Sequence, residues 1–137
     1  MFSVKQTINT LVAQPQLNAL LAVASRALMS LIFIGAGYSK LVGYAGTQSY
    51  MEAMHVPGAL LPLVIAMELG GGIALLLGFQ TRLVAGLLAG FSVITGFIFH
   101  GGAGEMNQIM LMKNFAMAGG LLAFVRTGAG APAIDKD

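Results

Sequence analysis

Long apolar runs alternate with short polar links from residue 18 onward. Four runs stand out, covering about residues 18–39, 58–79, 83–100 and 107–125. Each holds roughly 18–22 residues, enough at about 1.5 Å per residue to cross a hydrocarbon layer about 30 Å thick. The pattern predicts an all-α, four-helix transmembrane bundle forming a single membrane domain over residues 1–137. The moderately polar lead reaches Pro15, which suits a helix start or an interfacial approach. The run Gly128-Ala129-Gly130-Ala131-Pro132 continues a helix badly. Residues 1–16 and 128–137 are therefore expected to be flexible ends. The trio Gly35-Ala36-Gly37 looks like a signal-cleavage site, but Arg26 breaks the apolar core before it. The first run is expected to remain as a membrane helix.

Composition sharpens the picture. Hydrophobic residues make up 57% of the 137 and charged residues 9%, against about 25% charged in soluble domains. A soluble globular fold is excluded. The net charge of +2 contains no basic run, so nucleic acid is not a partner; the lipid bilayer is. Cysteine is absent, which rules out disulfide relays, persulfides and thiolate-held clusters within this chain. With two histidines, His55 and His100, no metal cage is expected.

The few charges also orient the bundle. Four crossings put both termini on one side with the link near Arg82. That side collects Lys5, Arg82, Arg126 and Lys136, together with Arg26 if it snorkels. The other side has Lys40 at its edge and Lys113 reaching towards it. The positive-inside rule then predicts both termini in the cytoplasm. The links around 41–57 and 101–106 would face outward with Glu52, His55, His100 and Glu105.

Candidate chemistry lies where ionisable groups fall inside the runs. Glu68 is the only charge between Val56 and Arg82, at a depth where a lone charge costs about 2.5–3.5 kcal/mol. It needs a partner or a polar cavity. Arg26, about 9 Å inside its span by helix rise, is the expected partner in a structural ion pair. Two roles stay open for Glu68 itself: a proton-handling group beside a ligand, or a neutraliser of an internal cation. Lys113 lies about one and a half turns inside the fourth run, where a ligand oxygen would suit it. Lys40 is either a membrane-edge lysine or a second ligand contact. His100 closes the third run and exchanges protons near neutral pH.

Small residues supply the packing signal. Gly86 to Gly90 forms a GxxxG, Ala116 to Gly120 a small-xxx-small pattern, and Gly70-Gly71-Gly72 directly follows Glu68. Such faces let helix backbones approach closely in lipid and predict a tight bundle. They also fit a homo-oligomer.

Taken in order, several elements resemble the DoxX family of small bacterial membrane proteins. They are Arg26, Gly35-Ala36-Gly37-Tyr38-Ser39-Lys40-Leu41, Glu68-Leu69-Gly70-Gly71-Gly72, Gly78-Phe79-Gln80-Thr81-Arg82 and His100. The resemblance spans about residues 20–127. It implies a multi-pass protein of the bacterial inner membrane and a role as a quinone-linked oxidoreductase component, with ties to oxidative stress. A quinone head group would then sit near Glu68, Lys113 and His100. Glu68 and His100 would act as the catalytic proton acceptors, and Lys113 and Lys40 would bind the ligand. The electrons would go to a redox partner protein. Two other classes fit the same residues: a small proton-coupled transporter built around Glu68, and a non-catalytic assembly or anchor subunit.

Overall fold

Proline and glycine punctuate the chain, and the helices run between them. The computed structural model describes residues 3–136. Helix α1 (Val4–Val12) opens with a capping box in which Ser3 and Gln6 satisfy each other's backbone N–H groups. Helix α2 (Pro15–Val42) starts with proline in its first turn, where the missing N–H costs nothing. A short helix α3 (Tyr44–Ala53) follows directly after Gly43. Helix α4 (Gly58–Leu77) stops at Gly78, whose φ of 69° is left-handed. Helices α5 (Thr81–His100) and α6 (Glu105–Thr127) complete the bundle.

The four expected spans are α2, α4, α5 and α6, each long and apolar enough to cross a membrane. Their burial pattern is inverted relative to a soluble bundle. Leu20, Leu28, Leu31, Leu63, Leu83 and Phe97 point outward, whereas Arg26, Ser30, Glu68, Ser92 and Asn114 are buried. Lipid solvates apolar side chains on the outside and forces polar groups to find partners within.

Packing divides the bundle along its length. α2 lies along α4, and α5 along α6. Leu75, Leu88, Leu121 and Phe124 fill the half nearest the termini. The other half is looser and contains the cavity described below. Glycine sets the α2–α4 spacing, because a Cβ on Gly37 would lie 2.8 Å from the backbone nitrogen of Leu69. Gly72 is as tight, 2.8 Å from Ile34. The GxxxG pair behaves differently from expectation: Gly86 and Gly90 are exposed on the outside of α5, and a Cβ on Gly90 would meet nothing. That motif does not build the bundle.

Both chain ends are more ordered than expected. α1 stands apart from the bundle with Val4, Ile8, Leu11 and Val12 on one exposed face. Such an amphipathic helix beside the first span fits the lipid interface. At the other end, the stretch expected to fray folds back onto the bundle. Ile134 donates its N–H to Leu77 O at 3.0 Å, and Asp135 donates to Gly78 O at 2.8 Å. The Asp135 carboxylate accepts from the N–H groups of Gln80 (2.8 Å) and Thr81 (2.9 Å), capping α5 across the chain. The tail is held because it satisfies helix-end groups that the tight α4–α5 turn leaves open. Met1, Phe2 and Asp137, also in the expected flexible ends, lie outside the described residues.

Two outcomes follow. Gly37→Ala should destabilise the protein by about 1–3 kcal/mol, while Gly35→Ala, with open space around it, should be close to neutral. Denaturation of both variants in detergent micelles checks this. The hydrogen bond from the Thr81 N–H, then that from Gln80, hold the Asp135 carboxyl below its ordinary range. The docked tail is thus fully latched above the ordinary carboxylate pKa and loosens as pH falls through the lowered value. A spin label on Lys136→Cys, in a chain without cysteine, should show growing mobility on acidification, and in Asp135→Ala already at neutral pH.

Candidate functional site

Glu68 sits where α4 departs from regular geometry. Residues Ala66–Gly70 form a π turn, flanked by α-helix on either side. An i→i+5 turn widens the helix by one residue and re-aims the side chains it carries, and such turns cluster at functional sites. The glycines that follow keep the wall thin, so α2 approaches closely at Gly72. Glu68 is consequently 4% exposed and faces the bundle interior.

Its partner is Lys40, not Arg26. The Lys40 amine lies 2.9 Å from Glu68 Oε1 and 3.3 Å from Oε2, engaging both carboxylate oxygens. Arg26 is buried far along α2 and reaches backbone instead. It donates to Ala22 O, to Leu76 O at 3.0 Å, and through Nη2 to Pro132 O in the folded-back tail. The expected Arg26–Glu68 pair fails on distance: Leu76 stands eight residues beyond Glu68, about 12 Å along the helix. Carbonyls at the end of α4 carry the negative pole of that helix and match a guanidinium's fork of donors. Arg82 does the same at the end of α6, donating to Val125 O (3.0 Å) and Arg126 O (2.8 Å).

A cavity of about 370 Å³ opens beside the ion pair. It brings together Lys40, Glu68, His100 and Lys113, four of the five side chains singled out from the sequence, and leaves out Arg26. The rest of its wall is mostly apolar, including Phe91, Ile94, Ile98 and Met117. His100, at the last residue of α5, sits beside Asn107 and Lys113. α3 covers the end away from the termini with Thr47, Tyr50 and Met51. Tyr50 stacks on Phe99 with ring centroids 5.5 Å apart, which ties α3 to α5.

Polar residues missed in the sequence also reach the cavity. Asn114 donates to Ser92 O at 2.9 Å and locks α6 to α5. Ser92 and Thr95 turn their hydroxyls onto carbonyls of their own helix, Leu88 and Phe91, at 2.8 Å each. An asparagine inside an apolar run is itself a signal of interior placement. The contribution of α3 had no such signal, since residues 41–57 read only as a link.

Comparison with known proteins agrees with this architecture. The DoxX family profile matches residues 20–101. The inner membrane protein YqjF of Escherichia coli (strain K12) is 52% identical over 115 residues, covering 83% of this chain and 88% of YqjF. The inner membrane protein YphA of the same organism is 36% identical over 124 residues, 85% of this chain and 89% of YphA. No solved structure matches the chain.

The ion pair makes a direct stability test. Lys40→Met strands a buried carboxylate and should cost about 1–3 kcal/mol, between the values for exposed and buried pairs. The double variant Lys40→Met with Glu68→Leu should recover most of that loss in the same denaturation assay. Equal stability of wild type and Lys40→Met would contradict the pairing.

Proposed function

This chain belongs to the DoxX family and is a multi-pass inner-membrane protein, and on that footing we propose that it is the quinone-binding component of a quinone-linked oxidoreductase. The observation that carries the reading is the cavity itself: an apolar, membrane-level space with an acid–base pair at one level and a histidine at another. Its volume of about 370 Å³ falls in the range of small-molecule sites, which are mostly apolar with a few placed polar groups. A flat ring with oxygens at opposite ends fits that division of the wall. With both termini cytoplasmic, as the positive-inside rule favours, the cavity would lie in the outer half of the membrane.

A bound quinol would supply two electrons and two protons on oxidation. The residues here account for the protons. His100 takes one at the end of the cavity away from the termini, its imidazole serving as the proton acceptor. Glu68 takes the other; Lys40 holds its carboxylate oriented until then. Apolar side chains around the pair exclude bulk water and keep the charges strongly coupled. The electrons pass to a partner redox protein, since a chain without cysteine offers no thiol couple of its own.

The packed half of the bundle favours this reading over a transporter. A transported substrate needs a route past Glu68 to the other side, and Leu75, Leu88, Leu121 and Phe124 fill that space. Binding decides the matter. In lipid nanodiscs, ubiquinone analogues should bind saturably to the wild type and about tenfold or more weakly to Glu68→Gln. Absence of saturable binding to the wild type would overturn the proposal, and proton-coupled flux would then be the property to assay.

A further inference from the structure

The cavity holds more positive charge than negative. Lys40 and Lys113 face it with Glu68 as the single carboxylate, so with His100 neutral the sum is two minus one, or +1. Lys40 is committed, because its amine spans both Glu68 oxygens at 2.9 and 3.3 Å. Lys113 is not: among the described residues, no carboxylate lies within ion-pair distance of it. It is half-buried on α6, eight residues and about 12 Å from the start of that helix. An uncompensated ammonium at that depth is expensive, and membrane proteins normally supply a counter-charge.

The surroundings of Lys113 suit an anion. His100 lies beside it and carries a hydrogen-bond donor. Asn114, on the next position of the helix, is already used to bridge to Ser92. Resting on the quinone reading of the cavity, we propose that the site selects a quinone bearing an ionised ring hydroxyl, with Lys113 as the seat of the negative charge. The apolar wall at Phe91, Ile94 and Ile98 takes the ring body. A neutral quinone fills the same space but leaves the lysine uncompensated. An anionic phospholipid headgroup presents the same charge, and the test separates the two sources.

The experiment compares hydroxynaphthoquinone, anionic at neutral pH, with unsubstituted naphthoquinone in zwitterionic phosphatidylcholine nanodiscs. The wild type should bind the anion about tenfold or more tightly than the neutral ring. Lys113→Gln should lose that preference while still binding the neutral ring, which also shows that the variant is folded. Lys113→Arg should keep the preference. Equal binding of both probes by the wild type overturns the anion assignment and leaves the quinone site standing. Failure of both probes to bind overturns both. If phosphatidylglycerol in the discs abolishes the preference in wild type and Lys113→Gln is indifferent to it, the seat at Lys113 belongs to a lipid headgroup and the anionic-quinone assignment is overturned, with the neutral ring's binding site left standing.

Discussion

A carboxylate placed at mid-depth in hydrocarbon has to meet a cation, and the loose half of this bundle is organised around that requirement. Lys40 enters from the last turn of α2 and clasps both oxygens of Glu68 on α4. For the two helices to hold that register, their backbones must come close, which is why Gly37 and Gly72 stand at the contact. The π turn at Ala66–Gly70 then re-aims Glu68 towards the interior rather than towards lipid. One ion pair thus links a glycine-lined helix contact, a local departure from α geometry and the wall of a cavity.

The two ends of the bundle solve different problems. Near the termini the interior is closed by leucine and phenylalanine, and the polar work is confined to helix ends. Arg26 and Arg82 satisfy the last carbonyls of α4 and α6, while Asp135 satisfies the first N–H groups of α5. Helix ends leave those groups without intrahelical partners, and ties of this kind supply them. At the opposite end the interior stays open and carries Lys40, Glu68, His100 and Lys113. The closed end gives the open end a fixed floor, which is what a ligand site needs and a through-channel cannot have.

Much of this was legible in the chain, and the misses share a cause. Hydrophobic run length located all four spans, because in a membrane length and polarity alone decide what can cross. Intramembrane charge likewise pointed to Glu68, Lys113 and Lys40. Matching charge to charge leaves out backbone carbonyls, however, and so pairs Arg26 with Glu68 although it binds Leu76 and Pro132. The same omission made the tail look free, since Asp135 finds backbone N–H groups that no side-chain pattern announces. Gly86 and Gly90 were overread for another reason: a GxxxG carries no information about which way its face points. The lid α3 and the hydrogen bond of Asn114 depend on tertiary contacts, and periodicity does not encode those.

Photo-crosslinking tests the central claim most directly, that the polar half of the bundle is a membrane-level ligand site. An azidoquinone irradiated with the protein in nanodiscs, followed by peptide mapping, reports where the ring sits. The account predicts labels on the cavity wall, at residues such as Phe91, Thr95, Phe99 and Met117, that disappear when excess unmodified quinone competes. Labels confined to outward-facing positions such as Leu28 and Leu63, undiminished by competitor, would contradict it.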